Sequence, residues 1–291
     1  MTYQHIALLS AVVFAFVTIS AKFVSKHKVK DFNSFFFWTY IAGLPFIILI
    51  PLTQGFYFNL AILPSMIVHS ILLTAGQYLF SKGIFLVDAS VVSPLFQLQS
   101  GFVLILAMIF LGEKYPPFIY VYLIFLILGA MFVSATDKTK FKGLLQKGVL
   151  YILGMQLFHA GANIAIGFAL KHTSSWQTLF YSFAFNSILV SLYMFIKREK
   201  VTRDFSKVSW MLLRAFLLLI ATALLYKAFE TNISISAALG LLSSPLVFVI
   251  AVACAIFSPK LLEKQSLKTY AIRAVGLIMI IYGAWNITIL K

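Results

Sequence analysis

Long, uninterrupted blocks of apolar residues run through the chain and constrain its fold more than any other feature. Blocks such as residues 3–24 and 267–290 are long enough for a helix to cross a hydrocarbon core about 30 Å thick. Within the blocks, apolar and polar residues do not alternate with the period of a strand or of an amphipathic helix. A bilayer therefore takes the place of water, and the spanning backbone must be helical because hydrocarbon offers it no hydrogen-bond partners.

The apolar blocks, bounded by charged or turn-forming residues, predict ten transmembrane helices. The predicted spans are 3–24, 33–52, 61–85, 88–111, 117–135, 148–170, 175–196, 208–229, 233–257 and 267–290. Only 11% of the 291 residues are charged, whereas an ordinary soluble domain carries about a quarter. We therefore expect an all-α integral membrane protein with short loops.

The two halves of the chain resemble each other at a constant offset. Lys26 recurs as Lys171 (171 − 26 = 145), and Lys82 recurs as Lys227 (227 − 82 = 145). Internal repeats of this kind are common in transporters. Five spans in each half, an odd number, make the second half enter the membrane from the opposite face, so the halves form an inverted repeat around a central cavity.

The same offset places Ser100 on Pro245, but the register later changes. Glu113 and Glu263 are 150 positions apart (263 − 113), which predicts a longer loop after the ninth span. The predicted domains are a first five-helix repeat at 1–135, a basic linker at 136–147 and a second five-helix repeat at 148–291.

Basic residues set the expected orientation. The formal net charge is +15, and the Lys and Arg side chains lie in short loops rather than on one soluble face, so we interpret them as topology signals and contacts with anionic lipid headgroups, not as a nucleic-acid surface. Loops after odd-numbered spans and their neighbourhoods hold 19 basic residues against 4 on the other face, which sum to the 23 in the chain. The count predicts odd loops in the cytoplasm and both termini outside a bacterial or archaeal cell membrane.

Two motifs and the five-plus-five layout resemble the EamA-like transporters of the drug/metabolite transporter superfamily. The motifs are Leu111-Gly112-Glu113-Lys114 at the end of span four and the stretch 237–245, which ends in Ser243-Ser244-Pro245. The resemblance implies a secondary transporter of a small metabolite, such as an amino acid or a related polar solute. It also implies a cavity lined by spans one to four and six to nine. Members commonly have both termini in the cytoplasm, and here the charge count favours the opposite.

Polar side chains in the middle of spans are the candidates for a solute pathway, because hydrocarbon tolerates them only where they face protein or water. Gln97 and Ser100 share one face of span four, and His159 and Asn163 share one face of span six. The alternative is that these groups only bond neighbouring helices. The full set of candidate solute-binding residues is Gln97, Ser100, His159, Asn163, Trp38, Tyr40 and Asn186.

A second set of residues is a candidate for bending or gating. Pro245 removes a backbone donor in mid-span, and the adjacent serines can bond the freed carbonyl. Lys82 and Lys227 lie near span ends, where extension of the side chain to the headgroups is the simpler interpretation. The complete set is Ser243, Ser244, Pro245, Lys82, Lys227 and Glu230.

Enzymatic chemistry is not indicated. All eight acidic residues map to loops or span ends, and one cysteine and scattered histidines are too few for a metal site. No phosphate-binding loop is present, so transport would use an ion gradient or be passive. We expect no cofactor, a small-molecule substrate, lipid contacts, a possible coupling ion and a monomer or homodimer. Alternatives are a lipid or lipid-headgroup translocase and a non-transporting membrane sensor or scaffold.

Overall fold

The computed structural model describes residues 2–54, 59–99, 101–102, 105–106, 117–133, 135, 145–231, 236, 239–240, 242–257 and 266–289. Within these ranges all the regular secondary structure is helical. The helices, numbered in chain order, are α1 (Tyr3–His27), α2 (Phe32–Ile41), α3 (Leu44–Ile47), α4 (Leu49–Gln54), α5 (Leu63–Ile84), α6 (Ala89–Leu95), α7 (Ile119–Val133), α8 (Lys147–Leu170), α9 (Ser175–Lys197), α10 (Phe205–Phe229), α11 (Ser243–Phe257) and α12 (Leu267–Ile289). A single 3₁₀ turn, Leu60–Ile62, leads into α5.

Six long helices coincide with predicted spans. Helices α1, α5, α8, α9, α10 and α12 begin and end within three residues of the apolar blocks that predicted them. Counting the broken second span, seven helices in the described part of the chain are long and apolar enough to cross a membrane. The all-helical membrane fold is confirmed. The number ten stays a prediction, because spans four, five and nine are described only as the shorter helices α6, α7 and α11.

The second predicted span, 33–52, is not one straight helix. Its start is fixed by Asp31, whose carboxylate accepts hydrogen bonds from the backbone N–H groups of Asn33 and Ser34, as N-cap residues do. The span then breaks at Ala42 and Gly43 and resumes as α3, which has a proline in its first turn, where the missing N–H costs nothing. The break in the helix therefore lies inside the apolar block, so the hydrophobic composition alone could not predict it.

The main helix pairs each join the two halves of the sequence. Helix α1 packs along α10, α5 along α8, α2 against α9, α6 against α11 and α7 along α12. In terms of the predicted spans, these are pairs one with eight, three with six, two with seven, four with nine and five with ten. Neither half folds as a separate body.

Helices α7 and α12 approach each other closely at two glycines, Gly129 and Gly276. A Cβ atom added to Gly276 would stand 2.6 Å from the carbonyl oxygen of Gly129, and one added to Gly129 would stand 2.7 Å from that of Gly276. Only glycine fits at this contact. Small residues are the usual means by which helices approach closely in lipid, where apolar side chains gain nothing by leaving the solvent.

Three basic side chains of the described residues, Lys22, Arg214 and Arg273, are buried inside the bundle. Lys22 is buried, and its ammonium donates to the carbonyl oxygens of Ile84 and Val87, at 2.8 and 2.7 Å, just where α5 ends. A cation at a helix C-terminus satisfies carbonyls that the helix leaves unpaired.

Arg273 in α12 is a second buried base. Its guanidinium donates to the carbonyl oxygen of Ala135 at 2.9 Å, to the hydroxyl of Ser90 at 2.5 Å and to the carboxylate of Asp88 at 3.0 Å. One side chain thus ties α12 to the start of α6 and to the segment after α7. Both residues were counted as loop charges, and both are structural.

Candidate solute site

A buried histidine on α5 joins four helices drawn from both halves. The Nδ1 atom of His69 lies 2.9 Å from the carbonyl oxygen of Ala162 on α8, so this nitrogen must carry the proton. In the neutral ring Nε2 is then an acceptor, and the hydroxyls of Ser182 on α9 and Tyr226 on α10 lie 3.0 and 3.4 Å from it. His69 is 1% exposed, and both ring nitrogens are bonded.

The same cluster continues to Asn186, one of the predicted solute-binding residues. The hydroxyl of Thr74 on α5 donates to Oδ1 of Asn186 at 2.8 Å, and Nδ2 of Asn186 donates to Ser182 at 3.4 Å. Asn186 is fully buried. We call the residues His69, Thr74, Ser182, Asn186 and Tyr226 the central polar cluster.

His159 and Asn163 lie beside this cluster on α8. The His159 ring packs against the backbone of α5 at Gly76, where an added Cβ would come within 2.6 Å of the ring Cδ2 atom. The ring is within electrostatic range of His69, and its buried Nε2 has no hydrogen-bond partner. Asn163 is half-buried one turn further along the same helix.

A buried arginine on α10 forms a second polar position. Nη1 of Arg214 donates to the hydroxyl of Thr39 at 3.2 Å, and the guanidinium lies over the ring of Phe35, 5.1 Å from its centroid. Nε has no hydrogen-bond partner. The predicted residue Tyr40 is buried within electrostatic range of Arg214, and its ring makes an edge contact with Phe183.

Two proline-containing segments cross where α6 meets α11. The hydroxyl of Ser93 donates to the carbonyl oxygen of Ser244 at 2.9 Å, and the hydroxyl of Ser244 donates to that of Ser93 at 2.7 Å. Both serines, and Ser243 beside them, are buried. Ser93-Pro94 thus meets Ser244-Pro245, whereas Ser100, which the offset of 145 aligns with Pro245, lies outside the described residues.

The predicted pair on span four is only partly described. Gln97 is buried just beyond the end of α6, where its backbone N–H donates to the carbonyl oxygen of Pro94 at 3.1 Å. Ser100 lies outside the described residues. Gln97 is thus placed near the α6–α11 crossing, on a different helix from the central polar cluster.

Trp38 holds a loop rather than standing open to a solute. Its indole N–H donates to the carbonyl oxygen of Thr202 at 2.9 Å, and the backbone N–H of Thr202 donates to the hydroxyl of Ser34 at 2.8 Å. These bonds fix the segment between α9 and α10 against the start of α2. The structure therefore separates Trp38 from the other predicted solute-binding residues.

The predicted gating lysines lie at helix ends in different surroundings. Lys82 is over the ring of Tyr78, 4.5 Å from its centroid, with the ring of Phe32 at 5.5 Å. Lys227 and Glu230 form an ion pair of 2.5 Å, and the second carboxylate oxygen of Glu230 accepts from the backbone N–H of Ser175 at 2.8 Å. Glu230 thus caps the start of α9.

Arg214 and His69 are the functional candidates that the sequence interpretation passed over. Arg214 was one of the 19 basic residues counted for orientation, and His69 was in neither candidate set. The signal that points to both is the repeat offset, since 214 − 69 = 145. The predicted repeat would therefore place a histidine and an arginine at equivalent positions. Among the described residues, no cluster of three His, Cys, Asp or Glu side chains is suited to a metal ion.

Comparisons with known proteins agree with this architecture. Residues 2–135 match the model of the EamA-like transporter family. A solved crystal structure, titled only as that of a protein, is similar with a TM-score of 0.62 at 13% sequence identity, and the alignment covers 97% of this chain and 93% of the other. The search of curated proteins gave no match. At this identity the solved structure supports the fold alone.

Proposed function

We propose, from the match of residues 2–135 to the model of the EamA-like transporter family, that this chain is a secondary transporter that moves a small polar solute across a cell membrane by alternating access. The proposal adds the solute class and the mechanism to the family's general role. It also places the boundary between two five-helix repeats in the basic segment 136–147, directly after the residues that the family model matches.

The observation that carries the proposal is the central polar cluster. Its five members come from α5 in the first half and from α9 and α10 in the second. A polar side chain in hydrocarbon is costly and is characteristic of substrate and ion pathways. A cluster shared by both halves is the position at which a solute would be released if the halves moved relative to each other.

The helix pairing supports an inverted repeat. If the first and second halves are exchanged, the pair α1–α10 becomes α8–α5, and both pairs are extensive contacts in the structure. The pairs α2–α9, α6–α11 and α7–α12 each map onto themselves under the same exchange. Such a contact pattern is what a pseudo-twofold axis in the membrane plane produces, and two equivalent halves are the basis of two exchanging states.

Transport itself is tested with the purified full chain in proteoliposomes. Vesicles loaded in turn with unlabelled amino acids, organic acids, amines, sugars and nucleotides are given the matching labelled compound, and counterflow is recorded. We expect saturable counterflow with one chemical class, and we expect replacement of Asn186 by Ala to weaken it at least tenfold, because the amide joins α5 to α9. Absence of counterflow for every class would reject the transport proposal.

Alternating access is tested by crosslinking a pair of introduced cysteines at one end of the helix bundle and, in a second variant, at the other end. In a Cys254→Ala background, one variant carries Ser34→Cys with Thr202→Cys, and the other carries Asn59→Cys with His172→Cys, because these pairs are in hydrogen-bond contact. Oxidative crosslinking of either pair should stop counterflow, and reduction should restore it. Full counterflow by the crosslinked protein would contradict the mechanism.

A further inference from the structure

Arg214 is a buried cation that the protein itself leaves incompletely bonded. Nine residues separate it from the start of α10 at Phe205, or about 13 Å along the helix axis. The residue is 2% exposed, and its Nε donor has no acceptor. Burying a charge is expensive unless it is paired, and removing a hydrogen-bond partner from a buried donor costs about 1–3 kcal/mol.

No carboxylate of the described chain offsets this charge. The ion pairs found there join Lys207 with Asp204, Lys227 with Glu230 and Arg273 with Asp88. The two remaining described acids accept hydrogen bonds at helix ends. Asp31 accepts from backbone N–H groups in the first turn of α2, and Glu199 accepts from the side-chain amide of Asn33. Arg214 is therefore a positive charge without a negative one beside it in the described ranges.

The equivalent position in the other half is fully bonded. His69 stands 145 residues before Arg214, and acceptor or donor groups meet both of its ring nitrogens. Both halves thus have a polar residue at this position, but only in the second half does a donor, Nε of Arg214, lack a hydrogen-bond partner. A packing requirement common to the repeat does not explain that difference.

The surroundings of Arg214 hold the guanidinium and leave its Nε donor without an acceptor. Thr39 donates its own proton to the carbonyl oxygen of Phe35 at 2.8 Å, so its oxygen is free to accept from Nη1 of Arg214. The ring of Phe35 supports the guanidinium plane. A guanidinium held in this way presents a planar fork that matches the two oxygens of a carboxylate.

We propose that the transported solute carries a carboxylate and that Arg214 binds it. This proposal rests on the proposed transport function and names its substrate class. A carboxylate suits the site better than a phosphate because the other buried bases of the described chain, Lys22 and Arg273, already have protein acceptors. One uncompensated positive charge matches a monoanion.

The test compares carboxylates with the amides that have the same shape. Thermal unfolding of the purified protein is measured with acetate, pyruvate, L-alanine and L-phenylalanine, and with acetamide, pyruvamide, L-alaninamide and L-phenylalaninamide. At least one carboxylate should raise the unfolding temperature saturably while its amide does not, because a ligand that binds only the folded state stabilises it. If no carboxylate shifts unfolding, or if the amides shift it equally, the carboxylate proposal is rejected.

Variants assign the effect to Arg214. Arg214→Gln should abolish the carboxylate shift, and Arg214→Lys should weaken binding at least tenfold, because an ammonium keeps the charge and loses the fork. Arg203→Gln, which changes an exposed arginine just before α10, should behave as the unsubstituted protein. Retention of the shift by Arg214→Gln would overturn the assignment.

A chemical measurement covers the case in which the variants do not fold. Phenylglyoxal modifies guanidinium groups, and modification of Arg214 in the unsubstituted protein is measured by mass spectrometry. We expect labelling that carboxylates suppress and amides do not, and labelling that no carboxylate suppresses contradicts the proposal. If the protein showed counterflow of a neutral or cationic solute and no effect of any carboxylate, the proposed transport function would stand. Only the proposal of a carboxylate substrate would then be rejected.

Discussion

Ser93 and Ser244 donate hydrogen bonds to each other's backbone carbonyl oxygen where α6 crosses α11. Each serine precedes a proline, and they are 151 residues apart (244 − 93). If the two serines are equivalent in the predicted repeat, their reciprocal contact would lie on the axis that relates the halves. The crossing would then be the point about which the two predicted repeats turn.

Removal of either hydroxyl should loosen this crossing. Ser93→Ala and Ser244→Ala should each lower the free energy of unfolding by about 0.5–1.5 kcal/mol, because interhelical hydrogen bonds in membranes average about 0.6 kcal/mol and reach about 1.7. The measurement is reversible unfolding in mixed micelles. Ser243→Ala, which changes the buried neighbour of Ser244, is the matched control and should cost less than either. Equal losses for all three variants would contradict the reciprocal pair.

If Ser93 and Ser244 are equivalent in the predicted repeat, the offset between the halves changes before span nine. Between Lys227 and Ser244 there are 17 residue steps, whereas between Lys82 and Ser93 there are 11, so the second half would have gained 6. The longer loop predicted after span nine stays a prediction, because residues 258–265 lie outside the described residues.

The three bonds of Arg273 should make its replacement costly. Arg273→Met leaves the carboxylate of Asp88, the hydroxyl of Ser90 and the carbonyl of Ala135 without their donor, and it should lower the free energy of unfolding by about 3–5 kcal/mol. Arg273→Lys should also be destabilising, because one ammonium does not reach three diverging acceptors. Thermal unfolding of the purified protein measures both effects.

Asp88→Asn provides the comparison for Arg273. The amide oxygen still accepts from the guanidinium, and Asp88 is partly exposed at the membrane surface, so the loss should stay below about 1.5 kcal/mol. If Asp88→Asn were as destabilising as Arg273→Met, the ion pair and not the set of three bonds would hold these helix ends together.

The glycine contact between α7 and α12 should not tolerate a methyl group. Gly276→Ala places its Cβ 2.6 Å from the carbonyl oxygen of Gly129 and 2.8 Å from the backbone nitrogen of Val133. Backbone atoms are unable to rotate away, so we expect a loss of about 2 kcal/mol or more in unfolding free energy. Gly161→Ala is the control, because its Cβ would meet only the end of Leu72 at 3.1 Å. A smaller loss at Gly276 than at Gly161 would contradict the packing.

Glu230 should give the protein an acid-sensitive contact between α9 and α10. Partial burial favours its neutral form, but hydrogen bonds from Lys227 and from Ser175 outweigh burial and lower the pKa of Glu230 below its ordinary value of 4.5. A carboxyl group whose pKa falls on folding stabilises the protein fully above its unfolded pKa, and this contribution is lost as the pH falls through the folded pKa.

Glu230→Gln is the variant that measures this contribution. The difference in unfolding temperature between the unsubstituted protein and Glu230→Gln should be constant from about pH 7 to about pH 5 and should shrink at lower pH. Lys207→Gln, which breaks an exposed ion pair with Asp204, should have little effect at any pH. A difference that grows on acidification would contradict the lowered pKa.

The candidate site was harder to predict from sequence than the spans, for a physical reason. Apolar length fixes where a helix crosses the membrane, and so α8 and α9 match their predicted spans to within one residue. Whether a polar residue faces a solute or a neighbouring helix depends on tertiary contacts. Asn186 and Trp38 were both candidates for solute binding, and in the structure Asn186 accepts a hydrogen bond from Thr74 on α5 while Trp38 donates one to Thr202.

The burial of Lys22 and of two other basic residues lowers the number of charges that can face the lipid headgroups. Lys22, Arg214 and Arg273 are enclosed by protein, so in the folded molecule they exert no pull on anionic headgroups. Of the 19 basic residues assigned to one face, 16 then remain (19 − 3), against 4 on the other. The asymmetry survives, and the orientation that it predicts depends on the other 16 basic residues.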